Sequence, residues 1–66
     1  MNEERLTSAE LQALLLLSQG ATAAGVARIM GISESTLGRV LRRVRRKLGA
    51  ESTIQAVSIA IRTGLI

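Results

Sequence analysis

Residues 23–42 read AAGVARIMGISESTLGRVLR, and the spacing of their apolar positions decides the fold. Val26, Met30, Ile32, Leu37 and Val40 outline two helices that share one interior, with Gly31 at the turn between them. A small residue, Ala27, stands where the helices must cross closely, and Gly31 supplies a backbone conformation that a side chain would strain. This is the helix-turn-helix pattern, which holds its second helix outward at an angle suited to the major groove of a duplex.

Extended to Leu48, the second of these helices reads SESTLGRVLRRVRRKL. Leu37, Val40, Leu41, Val44 and Leu48 recur with the period of a buried helical face. The opposite face is almost entirely arginine. Of the nine Lys and Arg in the chain, six lie between Arg39 and Lys47 with no acid among them, so the net charge of +4 is a local object. A helix fastened by one side and cationic on the other is suited to a polyanion.

The rest of the composition narrows the alternatives. Sixty-six residues permit one domain with a small core. There is no Cys and no His, so disulfides are excluded and neither a metal site nor a cofactor is expected. The absence of Phe, Tyr and Trp leaves Leu, Ile, Val, Met and Ala to build the interior, which suits helix-on-helix packing. With no His, Cys, Asp or Tyr, and Glu residues scattered at helix starts, the chain is not expected to be an enzyme, and no small-molecule ligand is evident. The start, MNEERLTS, is acidic and polar, and the leucine run 14–17 is too short to span a bilayer. A cytoplasmic, nucleoid-associated protein is therefore expected, with no membrane partner.

In chain order, residues 1–5 read as a polar tail and residues 6–66 as an all-α, four-helix (tetrahelical) domain. Thr7 and Glu10 form a capping box, with Leu6 and Leu11 bracketing it, that opens a first helix over 8–19. Leu11, Leu14 and Leu15 make one stripe on it, whereas Leu16 and Leu17 point elsewhere. Either this helix lies centrally among the others, or those two leucines meet another protein. Thr22 caps a second helix over 22–30, and Ser33 caps the third, with Glu34 in its first turn. Ser52 and Gln55 form another capping box that opens a fourth helix over 53–63. That helix is apolar on two sides, Ile54, Val57 and Ile61 on one, Ala56, Ile59 and Ala60 on the other. Either it is wedged deep in the fold, or a symmetric homodimer covers one side, with Ile54, Val57, Ile59 and Ile61 as interface candidates.

Over essentially its whole length the chain resembles the LuxR/GerE-type (FixJ/NarL-type) DNA-binding domain. The resemblance is carried by Leu6-Thr7 and Glu10, Gly20, Val26-Ala27, Gly31-Ile32-Ser33 with Thr36, Lys47-Leu48-Gly49, and Gln55-Ala56-Val57. It implies that the third helix reads DNA, that the fourth mediates dimerisation, and that the dimer binds a roughly palindromic site to regulate transcription. Such a domain is usually the output end of a longer chain, although stand-alone members exist. The chain departs from the family where a Lys is common, at Gly38, and at the start of the second helix, where Ala23, Ala24 and Gly25 replace polar or basic groups.

Stepping round the third helix from Leu37 as the inward direction places Ser35, Arg39, Arg42 and Arg46 nearly opposite, with Thr36, Gly38 and Arg43 on the flanks. Arg39 and Arg42 are the candidates for base contact, because a guanidinium donates two bonds to guanine O6 and N7. Ser35, Thr36, Arg43, Arg45, Arg46 and Lys47 are the candidates for phosphate contact. The competing reading of the basic run is a solvated face, favoured near the helix C-terminus by the dipole alone. Arg28 pairs with a Glu or touches a phosphate. The expected function is sequence-specific binding of double-stranded DNA by a transcriptional regulator; the alternative is a protein–protein module that pairs with a larger LuxR-type regulator.

Overall fold

The computed structural model describes residues 5–66; residues 1–4, most of the expected polar tail, lie outside the described residues. Among the described residues there are four helices and no strand: α1 (Ser8–Ser18), α2 (Ala23–Met30), α3 (Glu34–Leu48) and α4 (Thr53–Arg62). Each begins in the same way. The hydroxyls of Thr7, Thr22, Ser33 and Ser52 accept from the amides of Glu10, Gly25, Thr36 and Gln55, which satisfies one orphan donor per helix. At α1 the box is closed, since the Thr7 N–H donates to Glu10 Oε1 at 2.8 Å. At α4 only half of the expected box forms. Ser52 is far more extended than Thr7 (φ −146° against −79°), and the Gln55 side chain accepts from the amide of Glu51 instead of that of Ser52. Gly31 and Gly49 end α2 and α3 in the left-handed region, at φ 72° and 68°.

Two apolar clusters make up the interior, and α3 is the wall common to both. In front, Leu37, Val40 and Leu41 of α3 pack with Val26 and Ala27 of α2 and Ala13 of α1. Behind, Val44 packs with Leu14 of α1 and with Ala56 and Ala60 of α4. Ala27 is 3% exposed at the α2–α3 crossing, where its lack of bulk lets the helices approach. Helix α1 meets α2, α3 and α4, and its neighbouring residues Ala13 and Leu14 serve different clusters.

This central position resolves the leucines of α1. The stripe expected from Leu11, Leu14 and Leu15 does not form: Leu14 is fully buried, Leu11 is half-buried and Leu15 is 43% exposed. The inward residues are Glu10, Ala13 and Leu14, while Leu16 and Leu17 pack against the front cluster. An alanine and a buried acid thus occupy positions that a search for large apolar residues overlooks.

The two sides of α4 also separate. Ala56 and Ala60 face the rear cluster, whereas Ile54 is 82% and Ile61 56% exposed. Val57 packs at the edge of the rear cluster. Ile59 is half-buried and lies about 140° round the helix from Ile54, so the four expected interface residues do not share one surface.

Candidate nucleic-acid interface

The packing of α2 against α3 fixes which side of α3 meets solvent. With Leu37, Val40, Leu41 and Val44 turned inward, Ser35, Gly38, Arg39, Arg42, Arg43 and Arg46 are all exposed. From Arg39 to Arg46 is seven residues, about 10 Å of helix axis, or close to the height of three stacked base pairs. Arg42 and Arg46 make no hydrogen bond or ion pair among the described residues, so their donors are turned to solvent. Arg39 reaches back only loosely, its Nη2 lying 3.5 Å from Thr36 Oγ1.

The other expected contacts have intramolecular partners to different degrees. Thr36 is half-buried and its hydroxyl already accepts from Ser33 Oγ at 3.0 Å. Arg45 is half-buried and donates from Nη1 to Thr53 Oγ1 at 3.2 Å, which ties the rear of α3 to the first turn of α4. Arg43 lies 3.6 Å from Glu10 Oε2 with its side chain half exposed, so its guanidinium faces both that carboxylate and solvent. Ser35 is exposed in the first turn, with no side-chain hydrogen bond among the described residues.

Lys47 departs most from expectation. Its side chain is 8% exposed, and its ammonium donates to Glu10 Oε1 at 2.8 Å, Glu10 Oε2 at 3.1 Å and the carbonyl of Arg5 at 3.3 Å. Its ammonium is thus held by two groups of the domain itself, the Glu10 carboxylate and the Arg5 carbonyl. The reason lies in Glu10, a carboxylate 2% exposed that needs a counter-charge. Burial pushes its carboxyl up, but hydrogen bonds from the Lys47 ammonium and the Thr7 amide, with the charges of Lys47 and Arg43, outweigh this and hold it below the usual carboxylate value. Sequence reading found Glu10 as a cap and missed it as an ion-pair partner. Its spacing of three and four from Ala13 and Leu14 was the available signal.

A second surface lies across the molecule's rear. Leu17 and Ser18 of α1 with Thr53, Ile54, Val57, Ser58 and Ile61 of α4 line an open, mainly apolar groove of about 430 Å³. No helix among the described residues is long and apolar enough to cross a membrane.

Comparison with known proteins gives this arrangement its context. The family model described as "Bacterial regulatory proteins, luxR family" matches residues 4–60. The transcriptional activator protein AhyR of Aeromonas hydrophila is 34% identical over 64 residues, which is 97% of this chain and 25% of that protein. The transcriptional regulatory protein YdfI of Bacillus subtilis (strain 168) is 35% identical over 65 residues, 98% of this chain and 30% of that protein. The chain thus spans between a quarter and a third of the length of these relatives. An outward cationic helix on a helix-turn-helix frame, matched by the family model over most of its length, identifies this chain as a helix-turn-helix member of the luxR family of bacterial regulatory proteins.

Proposed function

We propose that this domain binds double-stranded DNA in the cytoplasm as a homodimer, laying α3 of each protomer in the major groove of a two-fold symmetric site, and so regulates transcription. The observation that carries this reading is the solvent-facing row of Arg39, Arg42 and Arg46 on the second helix of a helix-turn-helix. Arg39 and Arg42 read base edges, Ser35, Thr36, Arg43 and Arg46 meet phosphates, and Arg45 adds long-range charge from its place against Thr53. The names of AhyR and YdfI, a transcriptional activator and a transcriptional regulatory protein, support regulation as the outcome. The exposed Ile54 and Ile61, with Val57 between them, supply an apolar strip that a second copy would cover. Lys47 and Ile59 have no part in these contacts.

The test is selection from a pool of random duplexes with sequencing of the bound fraction, repeated at two salt concentrations. Recovery of a two-fold symmetric motif that survives the higher salt supports a dimeric sequence reader. Motif-free binding lost with salt would reduce the arginines to a nonspecific anchor. It would favour the module that pairs with a larger regulator through the Ile54 and Ile61 strip.

A further inference from the structure

Five of the six glycines have an intramolecular reason to be glycine. Gly20, Gly31, Gly49 and Gly64 have positive φ, and a Cβ on Gly25 would lie 3.3 Å from Thr22 Oγ1. Gly38 has neither reason. Its backbone is ordinary helix, it is exposed, and a Cβ added to it would meet nothing within 4 Å. It also weakens the helix it stands in, because glycine is a poor helix former at an interior position. Within the domain, alanine would be the better residue at this position.

Nothing within the domain calls for glycine at this position, and its place on the helix points outward. Gly38 lies on the outward arc of α3, one turn from Ser35 and Arg42 and next to Arg39. Without a Cβ, the helix has a shallow socket between those side chains, where an approaching surface reaches bare backbone. The backbone N–H and C=O in mid-helix are committed to the helix ladder, so the socket offers no hydrogen bond. Of the groups that base pairs present in the major groove, the one that needs none is the 5-methyl of thymine.

We propose that Gly38 is a specificity-determining position, seating a thymine methyl beside the bases reached by Arg39 and Arg42. This rests on the DNA-binding reading above. The missing side chain also lets α3 sit deeper, bringing both guanidinium groups to the base edges. A Cβ would fill the socket and lift the helix.

The experiment uses the 66-residue chain and the duplex its wild-type form selects. Affinity is measured for wild type and Gly38→Ala on that duplex, on a scrambled duplex, and on versions in which each thymine in turn is replaced by deoxyuridine. Thermal unfolding of both proteins is followed alongside. Gly38→Ala is expected to raise Tm by about 4–8 °C while binding the selected duplex about tenfold more weakly and the scrambled one equally. One deoxyuridine position is expected to weaken wild type about fourfold and to leave Gly38→Ala unaffected. A merely structural glycine would not raise stability and lower specific binding together. If wild type selects a motif and Gly38→Ala binds it equally well, or if no thymine methyl matters to wild type, the socket is overturned and the DNA-binding reading stands. If wild type selects no motif, both fall together.

Discussion

The ammonium of Lys47 lies 2.8 Å from Oε1 of Glu10, joining the last turn of α3 to the first turn of α1 across 37 residues of chain. Both side chains are nearly withdrawn from water, at 8% and 2% exposure. Removal of the lysine leaves a buried carboxylate with Arg43, half exposed at 3.6 Å, as its remaining cation among the described residues. Lys47→Ala is expected to cost about 3 kcal/mol, read as a fall of more than about 10 °C in Tm. A fall of a degree or two would mean that the pair behaves as an exposed one.

The same carboxylate sets a pH dependence. Glu10 is held below its usual value of 4.5 in the fold, so the unfolded chain binds its proton first as the pH drops. Its contribution is fully present above about pH 4.5 and is lost as the pH falls through the lower folded value. Glu10→Gln should therefore lower Tm at neutral pH and flatten the decline of Tm below pH 4.5. An unchanged acid limb in that variant would assign the decline to other carboxylates.

Arg39, Arg42 and Arg46 differ from Lys47 in what they leave free. Arg39→Ala and Arg42→Ala are each expected to cost about 1–3 kcal/mol on the selected duplex and far less on a scrambled one. Arg46→Ala should weaken both duplexes alike and reduce the slope of log affinity against log salt by about one. Equal losses on the two duplexes for Arg39→Ala or Arg42→Ala would make those residues phosphate contacts.

Ile54→Glu and Ile61→Glu place a charge on an already exposed strip, so at a dilution where wild type is monomeric each should keep its Tm within about 2–4 °C. Each should also shift a wild-type dimer to monomer in sedimentation. Ile59→Glu, from a half-buried position, should instead lower Tm. A wild-type chain that sediments as a monomer at high concentration would remove α4 as the interface.

The helix boundaries and caps were legible because they depend on local chemistry. A hydroxyl three residues before a free amide marks a helix start wherever the chain goes, and all four starts fall where Thr7, Thr22, Ser33 and Ser52 put them. The inward face of α3 was legible for a related reason, since Leu37, Val40, Leu41 and Val44 alternate with arginines in a helical period. Helix α1 was not, because Leu11, Leu14, Leu15, Leu16 and Leu17 surround it with apolar side chains and leave no charged face, such as the arginines give α3, to mark its outer side. The pairing of Lys47 was not legible because its partner is 37 residues away, and a lysine at the end of a basic run looks like its neighbours until the fold brings Glu10 to it. The arginine row was legible as a surface, while the division between bases and phosphates depends on a duplex that the chain does not encode.

The split interior gives the domain a weak seam. Helix α4 rests on the rear cluster through Ala56 and Ala60, two of the smallest apolar side chains, with Val57 at the edge, and adds no residue to the front cluster. The front of α3 keeps Val26, Ala27 and Ala13 around it whether or not α4 is docked. Amide protons of α4 should accordingly exchange through a partial opening well below the free energy of global unfolding, while those around Leu37 and Val40 wait for the whole domain to unfold. A partner seated on Ile54 and Ile61 would slow both classes by its binding free energy, since global unfolding also releases it, and the faster protons of α4 make exchange there a gauge of assembly in the absence of DNA.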